Sequence, residues 1–159
     1  MGKFNGKITA EFTPPRTWIL EKALSFETDE LNDADIQILR IIGANVTDTG
    51  KGKGRITCKK GMKTDLASTP RAVWGLIAPW DVARAAIIHD HLYATLRTYY
   101  HTGSPFDKNI WNEGRKLADL VFLLGMESAE PSVPKWKIYP AYWAVRAFGR
   151  WPASASLDA

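Results

Sequence analysis

The chain has 159 residues, of which 45% are hydrophobic and 24% charged, and this composition fits one globular domain and excludes a collagen-like or wholly disordered chain. Its formal charge of +4 allows weak attraction to anionic surfaces but predicts no specific nucleic-acid binding. A single cysteine, Cys58, excludes an internal disulfide framework and a metal site built from cysteines. No apolar run at the N-terminus suits a signal peptide, and none reaches the roughly 18 residues of a spanning helix, so we expect a soluble protein made in the cytoplasm.

The first third of the chain carries strand patterns. Residues 8–12 alternate as a strand does, Pro14 and Pro15 interrupt them, and a second strand-like run extends from Trp18 to Glu27. The apolar run Ile36 to Ile42 fits either a strand or a helix.

A Gly/Lys segment at residues 51–54 lacks the GxxxxGK[ST] phosphate-binding pattern and is better interpreted as a hairpin turn. Strands over 55–59 and 62–64 would then bring Asp65 to the edge of a sheet. Ser68 or Thr69 with Pro70 predicts the start of a short helix through Ile77.

The remainder of the chain has helical periodicity. Asp81 is a suitable N-cap for a long helix to about Tyr100, and a second helix is predicted from Lys108 to Glu127. A third is indicated by aromatic and apolar residues from Trp136 to Trp151, whose face can pack on the domain, contact a subunit or lie on a membrane. We therefore predict one α+β domain over residues 1–151, with a small antiparallel sheet in residues 1–65 beside three to four helices in 66–151, and a mobile tail at 152–159.

The predicted long helix contains ionisable residues among apolar ones. His89 and Tyr93 are four residues apart and share a helix face, whereas Asp90 points about 100° away. A buried charge on Asp90 needs a partner, a metal or water. The alternative to a chemical site is a His89 bonded to a backbone carbonyl and an Asp90 paired with an arginine, Arg84 or Arg97.

A second carboxylate, Asp119, lies among core-type residues of the next helix, where solvation is costly. An ion pair with Arg115, four residues earlier, is the structural alternative to a functional role. The role of Asp65 also has alternatives, because this residue can end a strand, stabilise the start of the next helix or form a wall of the site.

Four motifs occur in the order Thr64–Arg71, His89–Tyr93, Ala118–Asp119 and Tyr142–Gly149. In this order, over residues 18–149, the chain resembles a family of small bacteriophage and prophage proteins of unknown function. The resemblance implies a viral origin and supplies no activity. We expect a place in the virion, with other virion proteins or further copies of the chain as partners.

The pair His-Asp-x-x-Tyr at 89–93 and Ala-Asp-x-x-Phe at 118–122 is similar to the catalytic helix pair of phospholipase A2, over about 35 residues. The resemblance implies that His89 is the general base for water attacking an ester and that Asp119 orients its imidazole. It further implies that Tyr93 supports Asp119 and that Asp90 binds Ca²⁺.

The calcium site departs from that family. Its calcium loop is rich in glycine and lies just before the helix, whereas residues 68–80 contain Gly75 alone. Calcium needs six to eight oxygen ligands, so we hypothesise that Asp65 supplies part of the shell, directly or through water. We expect Ca²⁺ rather than Zn²⁺ as the bound metal, and a site without metal is the alternative.

Three functional hypotheses follow. The first is a phage-encoded, metal-assisted hydrolase of envelope lipid or another ester, acting in entry or lysis, in which a basic surface and exposed tryptophans contact anionic lipid. The second is a non-catalytic virion protein, of the tail or an accessory position, whose His/Asp cluster is a buried polar network. A metal phosphohydrolase of the His–Asp type is the third and weakest hypothesis, because His91 lies on the wrong face of the same helix to bind a metal together with His89 and Asp90.

Overall fold

The computed structural model describes residues 2–14, 17–50, 52–65 and 79–157. The short helix predicted after Pro70 lies outside these ranges.

Among the described residues, seven short strands form two antiparallel sheets in the N-terminal part of the chain. One sheet has the order β1-β4-β6-β5 and the other has the order β2-β3-β7. The strands are β1 Gly2–Phe4, β2 Ala10–Thr13, β3 Thr17–Leu20, β4 Leu24–Thr28, β5 Val46–Gly50, β6 Lys53–Cys58 and β7 Lys63–Thr64. The predicted run from Trp18 to Glu27 is thus divided between the two sheets, with β3 in one and β4 in the other.

The four-stranded sheet contributes its alternate residues to the core. In β4 the buried positions are Leu24, Phe26 and Thr28, and Phe26 is opposite Ile56 of β6. Such period-two burial leaves the other face for polar residues, which is the pattern of a sheet covered on one side.

The apolar run at 36–42 belongs to a helix, α1, which covers Asp33–Ile41. Its start is fixed by a capping box in which the Asn32 side chain accepts from the Asp35 N–H and the Asp35 carboxylate accepts from the Asn32 N–H. The polar residues before the run therefore form the helix start, and Ile36 and Leu39 are buried.

Within residues 79–157 the structure has four further helices: α2 Pro79–Thr102, α3 Lys108–Glu127, α4 Lys135–Phe148 and α5 Arg150–Ser154. The prediction of Asp81 as the N-cap of α2 is wrong, because α2 already begins at Pro79. Asp107 caps α3 by accepting from the N–H groups of Asn109 and Ile110. The predicted third helix is interrupted at Gly149, which separates α4 from α5.

Helices α2 and α3 run antiparallel at close range. Early in α2, Ala85 lies beside Gly125 near the end of α3, and late in α2, Leu96 lies beside Gly114. A Cβ atom at Gly125 would come 2.8 Å from the Ala85 Cβ, so glycine at this position permits the approach of the two backbones. The α+β prediction, with an antiparallel β region in the first 65 residues beside helices, is confirmed.

The C-terminal residues contact α2. Arg97 donates to the Pro152 carbonyl at 3.2 Å, His101 Nε2 lies 2.9 Å from the Ala155 carbonyl oxygen, and Ala153 is buried. These contacts hold residues 152–155, which the sequence analysis assigned to a mobile tail, against α2. Within the described ranges, no helix is both long and apolar enough to cross a membrane.

Candidate functional site

The antiparallel helices α2 and α3 bring three of the predicted site residues together. His89 Nε2 lies 2.9 Å from Asp119 Oδ1, and the Tyr93 hydroxyl donates to the same oxygen at 2.7 Å. His89 and Tyr93 share a face of α2, as their four-residue spacing predicts, and that face is turned toward α3. The predicted grouping of His89, Tyr93 and Asp119 therefore exists as a set of direct contacts.

Two arginines contact the other oxygen of Asp119. Arg146 of α4 donates from Nη1 to Oδ2 at 2.8 Å, and Arg115 Nη1 lies 3.6 Å from the same oxygen. Arg115 also donates to the Arg146 carbonyl at 3.1 Å, which links α3 to α4. The predicted Arg115–Asp119 pair is present, but Arg146 makes the shorter contact.

The cluster is enclosed by protein. His89, Tyr93 and Asp119 are each 0% exposed. The imidazole of His89 lies between the rings of Tyr93 and Phe122, with centroids 4.2 and 4.8 Å away. Because a buried carboxylate is costly without compensation, the arginines and the hydrogen bonds together are what allow Asp119 to occupy this position.

The protonation pattern follows from these contacts. Burial raises the pKa of the Tyr93 phenol well above its usual range, and the adjacent Asp119 charge raises it further. Tyr93 is therefore a neutral O–H donor. When Nε2 of His89 carries the ring proton, it donates to Asp119 Oδ1, and this tautomer leaves Nδ1 without a proton.

Asp90 lies on a different side of α2 and has a different partner. It is buried, and the Thr64 hydroxyl at the end of β7 donates to its Oδ2. The proposed arginine partners bond elsewhere, since Arg84 donates to the Gly6 carbonyl and Arg97 to the Pro152 carbonyl. Asp90 therefore joins the sheet to the helix pair, and the arginine-paired alternative is wrong.

The environment of Asp90 includes two further groups that the structure keeps uncharged. Burial raises the pKa of the Cys58 thiol to about 12, and the nearby Asp90 charge adds to the shift. Burial lowers the pKa of His91, although Asp90 opposes that effect. His91 Nε2 accepts from the Asn45 N–H at 3.5 Å, which also requires an unprotonated nitrogen.

The second predicted metal ligand, Asp65, follows Thr64 directly and is exposed. Among the residues for which the structure gives positions, no three His, Cys, Asp or Glu side chains form a group that could hold a metal ion. Calcium needs six to eight oxygens, and Asp90, Asp65 and the Thr64 hydroxyl do not supply that shell. A metal held by Asp90 and Asp65 stays a prediction.

Sequence reasoning did not find Thr64, Arg146 or Gly149 as parts of these clusters. Gly149 lies against the Tyr93 hydroxyl, and a Cβ atom there would overlap the hydroxyl oxygen. Thr64 and Arg146 are 26 and 27 residues from their carboxylate partners and lie on other elements. No local pattern connects residues that meet only through tertiary packing.

These features define a class: α+β proteins in which an antiparallel helix pair encloses a His–Asp–Tyr cluster between a small β region and a C-terminal helix. The chain belongs to the DUF1353 family of proteins of unknown function, whose family model matches residues 42–145. The match contains His89, Asp90, Tyr93 and Asp119 and ends one residue before Arg146. No curated protein and no solved structure matches the chain.

Proposed function

We propose that this chain is a bacteriophage-encoded virion or lysis component, with a tail or accessory position in the particle, and that its His89–Asp119 pair hydrolyses an ester of the bacterial envelope. One observation carries the catalytic part: His89 Nε2 and the Tyr93 hydroxyl meet on a single oxygen of Asp119. This arrangement positions a base, orients it through a carboxylate and supports that carboxylate with a neutral phenol. The resemblance of its motif order to that of small phage proteins supports the viral origin.

The chemistry assigned to these residues is general-base catalysis. The imidazole of His89 takes a proton from water as that water attacks the ester carbonyl, and Asp119 stabilises the resulting imidazolium. Arg146 contacts the other oxygen of Asp119 at 2.8 Å and helps to hold this carboxylate in position, and the proton on His89 is then given to the leaving alcohol. A metal would supply stabilisation of the oxyanion, but no step is assigned to one because the described ligands do not complete a shell.

The test is fatty-acid release from vesicles of phosphatidylethanolamine and phosphatidylglycerol, with Ca²⁺, with Zn²⁺ and with chelator. The variants are His89→Ala and Asp119→Asn, each checked for folding by circular dichroism. His101→Ala is the matched control, because His101 is an exposed histidine of the same helix. We expect wild type and His101→Ala to release fatty acid and both site variants to lose about a hundredfold or more in rate.

A second candidate function is favoured by the complete burial of the cluster. His89 is 0% exposed, and the carboxylate that it contacts, Asp119, is paired with both Arg115 and Arg146. Such a buried network also suits a structural role, in which it fixes α2, α3 and α4 relative to one another in a non-catalytic virion protein. The same measurements separate the candidates. A wild type that is silent under every condition, with a His89→Ala variant that melts several degrees lower, would replace the hydrolase by the structural protein.

A further inference from the structure

Helix α4 has apolar residues on two opposite faces. Ile138, Ala141 and Val145 are buried against α2 and α3. At 100° per residue, Trp136, Tyr139 and Trp143 lie within about 60° of one another on the opposite face, which points away from the domain. A helix that only covered its own core would carry polar residues on that face.

The outward aromatic residues are largely uncovered. Trp136 is 67% exposed and Trp143 is 63% exposed. Just beyond them, Phe148 and Trp151 are stacked on each other with centroids 6.2 Å apart, and Trp151 is 68% exposed. We call Trp136, Tyr139 and Trp143 the aromatic face. Three large aromatic residues exposed together on one face of a helix are typical of an interaction site.

Helix α4 and the segments that flank it in the sequence carry charge of one sign. Residues 131–157 contain no aspartate or glutamate, whereas they contain Lys135, Lys137, Arg146 and Arg150. Lys137 lies over the ring of Trp136, with its Nζ 5.3 Å from the ring centroid. A second copy of the chain docked on this face would oppose cations to cations, so the charge favours an anionic partner.

A polar cavity of about 310 Å³ lies beside α4. It is lined by Asn109, Asn112, Glu113, Arg115, Lys116 and Arg146. Arg146 follows Trp143 by three residues, so this cavity borders the aromatic face on the helix surface. Two guanidinium groups and two amides are donors suited to a phosphate group, and Asp119 neutralises only one of the two arginine charges.

We propose that the aromatic face binds the surface of an anionic phospholipid bilayer. Helix α4 would lie in the plane of the interface, with Trp136 and Trp143 among the headgroups and Lys135, Lys137 and Arg150 facing lipid phosphates. Tryptophan and tyrosine prefer this depth because their rings are apolar and their N–H and O–H groups stay hydrated. The proposal uses residues other than His89 and Asp119 and does not rest on hydrolysis.

The experiment measures partition of the full-length chain onto vesicles by co-sedimentation and by the blue shift of tryptophan emission. Vesicles of phosphatidylcholine alone are compared with vesicles containing 30% phosphatidylglycerol, a fraction of about one lipid in three chosen to give a substantial negative surface potential. The test variants are Trp136→Ser with Trp143→Ser, and Lys135→Gln with Lys137→Gln. Their matched controls are Phe12→Ser, an exposed aromatic of β2, and Lys59→Gln with Lys60→Gln in an exposed turn.

We expect binding to the anionic vesicles only, weakened at high salt. Removing the two lysines should weaken binding about fivefold for each lysine, and removing the two tryptophans about tenfold or more, while the control variants bind as wild type does. His89→Ala should also bind normally, so failure of the hydrolase and failure of membrane binding can be distinguished. Equal binding by test and control variants would overturn the proposal, as would a dimer in solution that only Trp136→Ser with Trp143→Ser dissociates.

Discussion

Asp119→Asn should be strongly destabilising, because it removes the one anion to which four side chains are directed. Asparagine keeps the shape of aspartate but replaces one oxygen with an amide that donates hydrogen bonds. Whichever way the amide turns, its NH₂ group faces either the Tyr93 hydroxyl and His89 Nε2 or the guanidinium of Arg146. If the NH₂ group faces Arg146, a donor faces a donor in a site that is 0% exposed; if it faces Tyr93 and His89, the Tyr93 hydroxyl must accept where it now donates and His89 Nε2 must lack a proton.

The magnitude follows from the loss of the negative charge. Side chains of Arg115 and Arg146 are only 14% and 19% exposed, so water compensates little of their positive charge. Removing one partner of a buried ion pair costs about 3–5 kcal/mol of unfolding free energy. In a domain of this size each 1 kcal/mol shifts the melting temperature by about 2–4 °C, so we expect a fall of about 6–20 °C.

The assay is thermal and urea unfolding at pH 7, followed by circular dichroism. Glu113→Gln is the matched control, because it removes a carboxylate of the same helix whose 2.7 Å pair with Lys116 is exposed to solvent, and it should change stability by less than about 1 kcal/mol. An Asp119→Asn protein that melts within a degree or two of wild type would refute the view that this carboxylate compensates the buried arginines.

Two other predictions concern neighbouring residues. Gly149→Ala should lower the free energy of unfolding by about 1–3 kcal/mol, because the new Cβ atom would overlap the Tyr93 hydroxyl. In urea unfolding, adding Tyr93→Phe should recover part of that loss. Strictly additive effects of the two substitutions would contradict the contact. His91 binds its proton more weakly when folded than the ordinary pKa of 6.5 allows, so below about pH 6.5 the unfolded chain takes up more protons and the folded state loses stability. His91→Gln, which keeps an acceptor for Asn45, should therefore show a flatter fall of melting temperature between pH 7 and 5 than wild type, and parallel curves would contradict this assignment.

Periodicity in the sequence was sufficient to predict the helix pair. The 3.6-residue pattern of α3 gave its bounds, and the spacing of His89 and Tyr93 placed both on the face that meets Asp119. The sequence did not distinguish a strand from a helix at residues 36–42, because short apolar runs fit both. The structure has a helix there, and the capping box at Asn32 stabilises its start. Pairing of strands into two sheets depends on long-range contacts that alternation alone does not encode.

The candidate site was predictable only where its residues lie on adjacent helices. Arg115 could be foreseen as a partner of Asp119 from the i,i+4 relation, but the shorter contact comes from Arg146, whose position depends on how α4 packs. Asp90 was expected to need a partner, a metal or water, and one partner is a hydroxyl group from the β region that donates to it. Tertiary packing selected these partners from several that the sequence permits.

The placement of Phe4 has a consequence for the order of events during synthesis. This β1 residue packs against both hydrophobic clusters of the domain, and its ring lies under the Arg84 guanidinium and beside Gly125. The surface that receives the Phe4 ring is complete only after about 120 more residues have been translated. Phe4 is thus made well before the residues that cover it, and until α3 emerges a nascent chain leaves this aromatic ring uncovered.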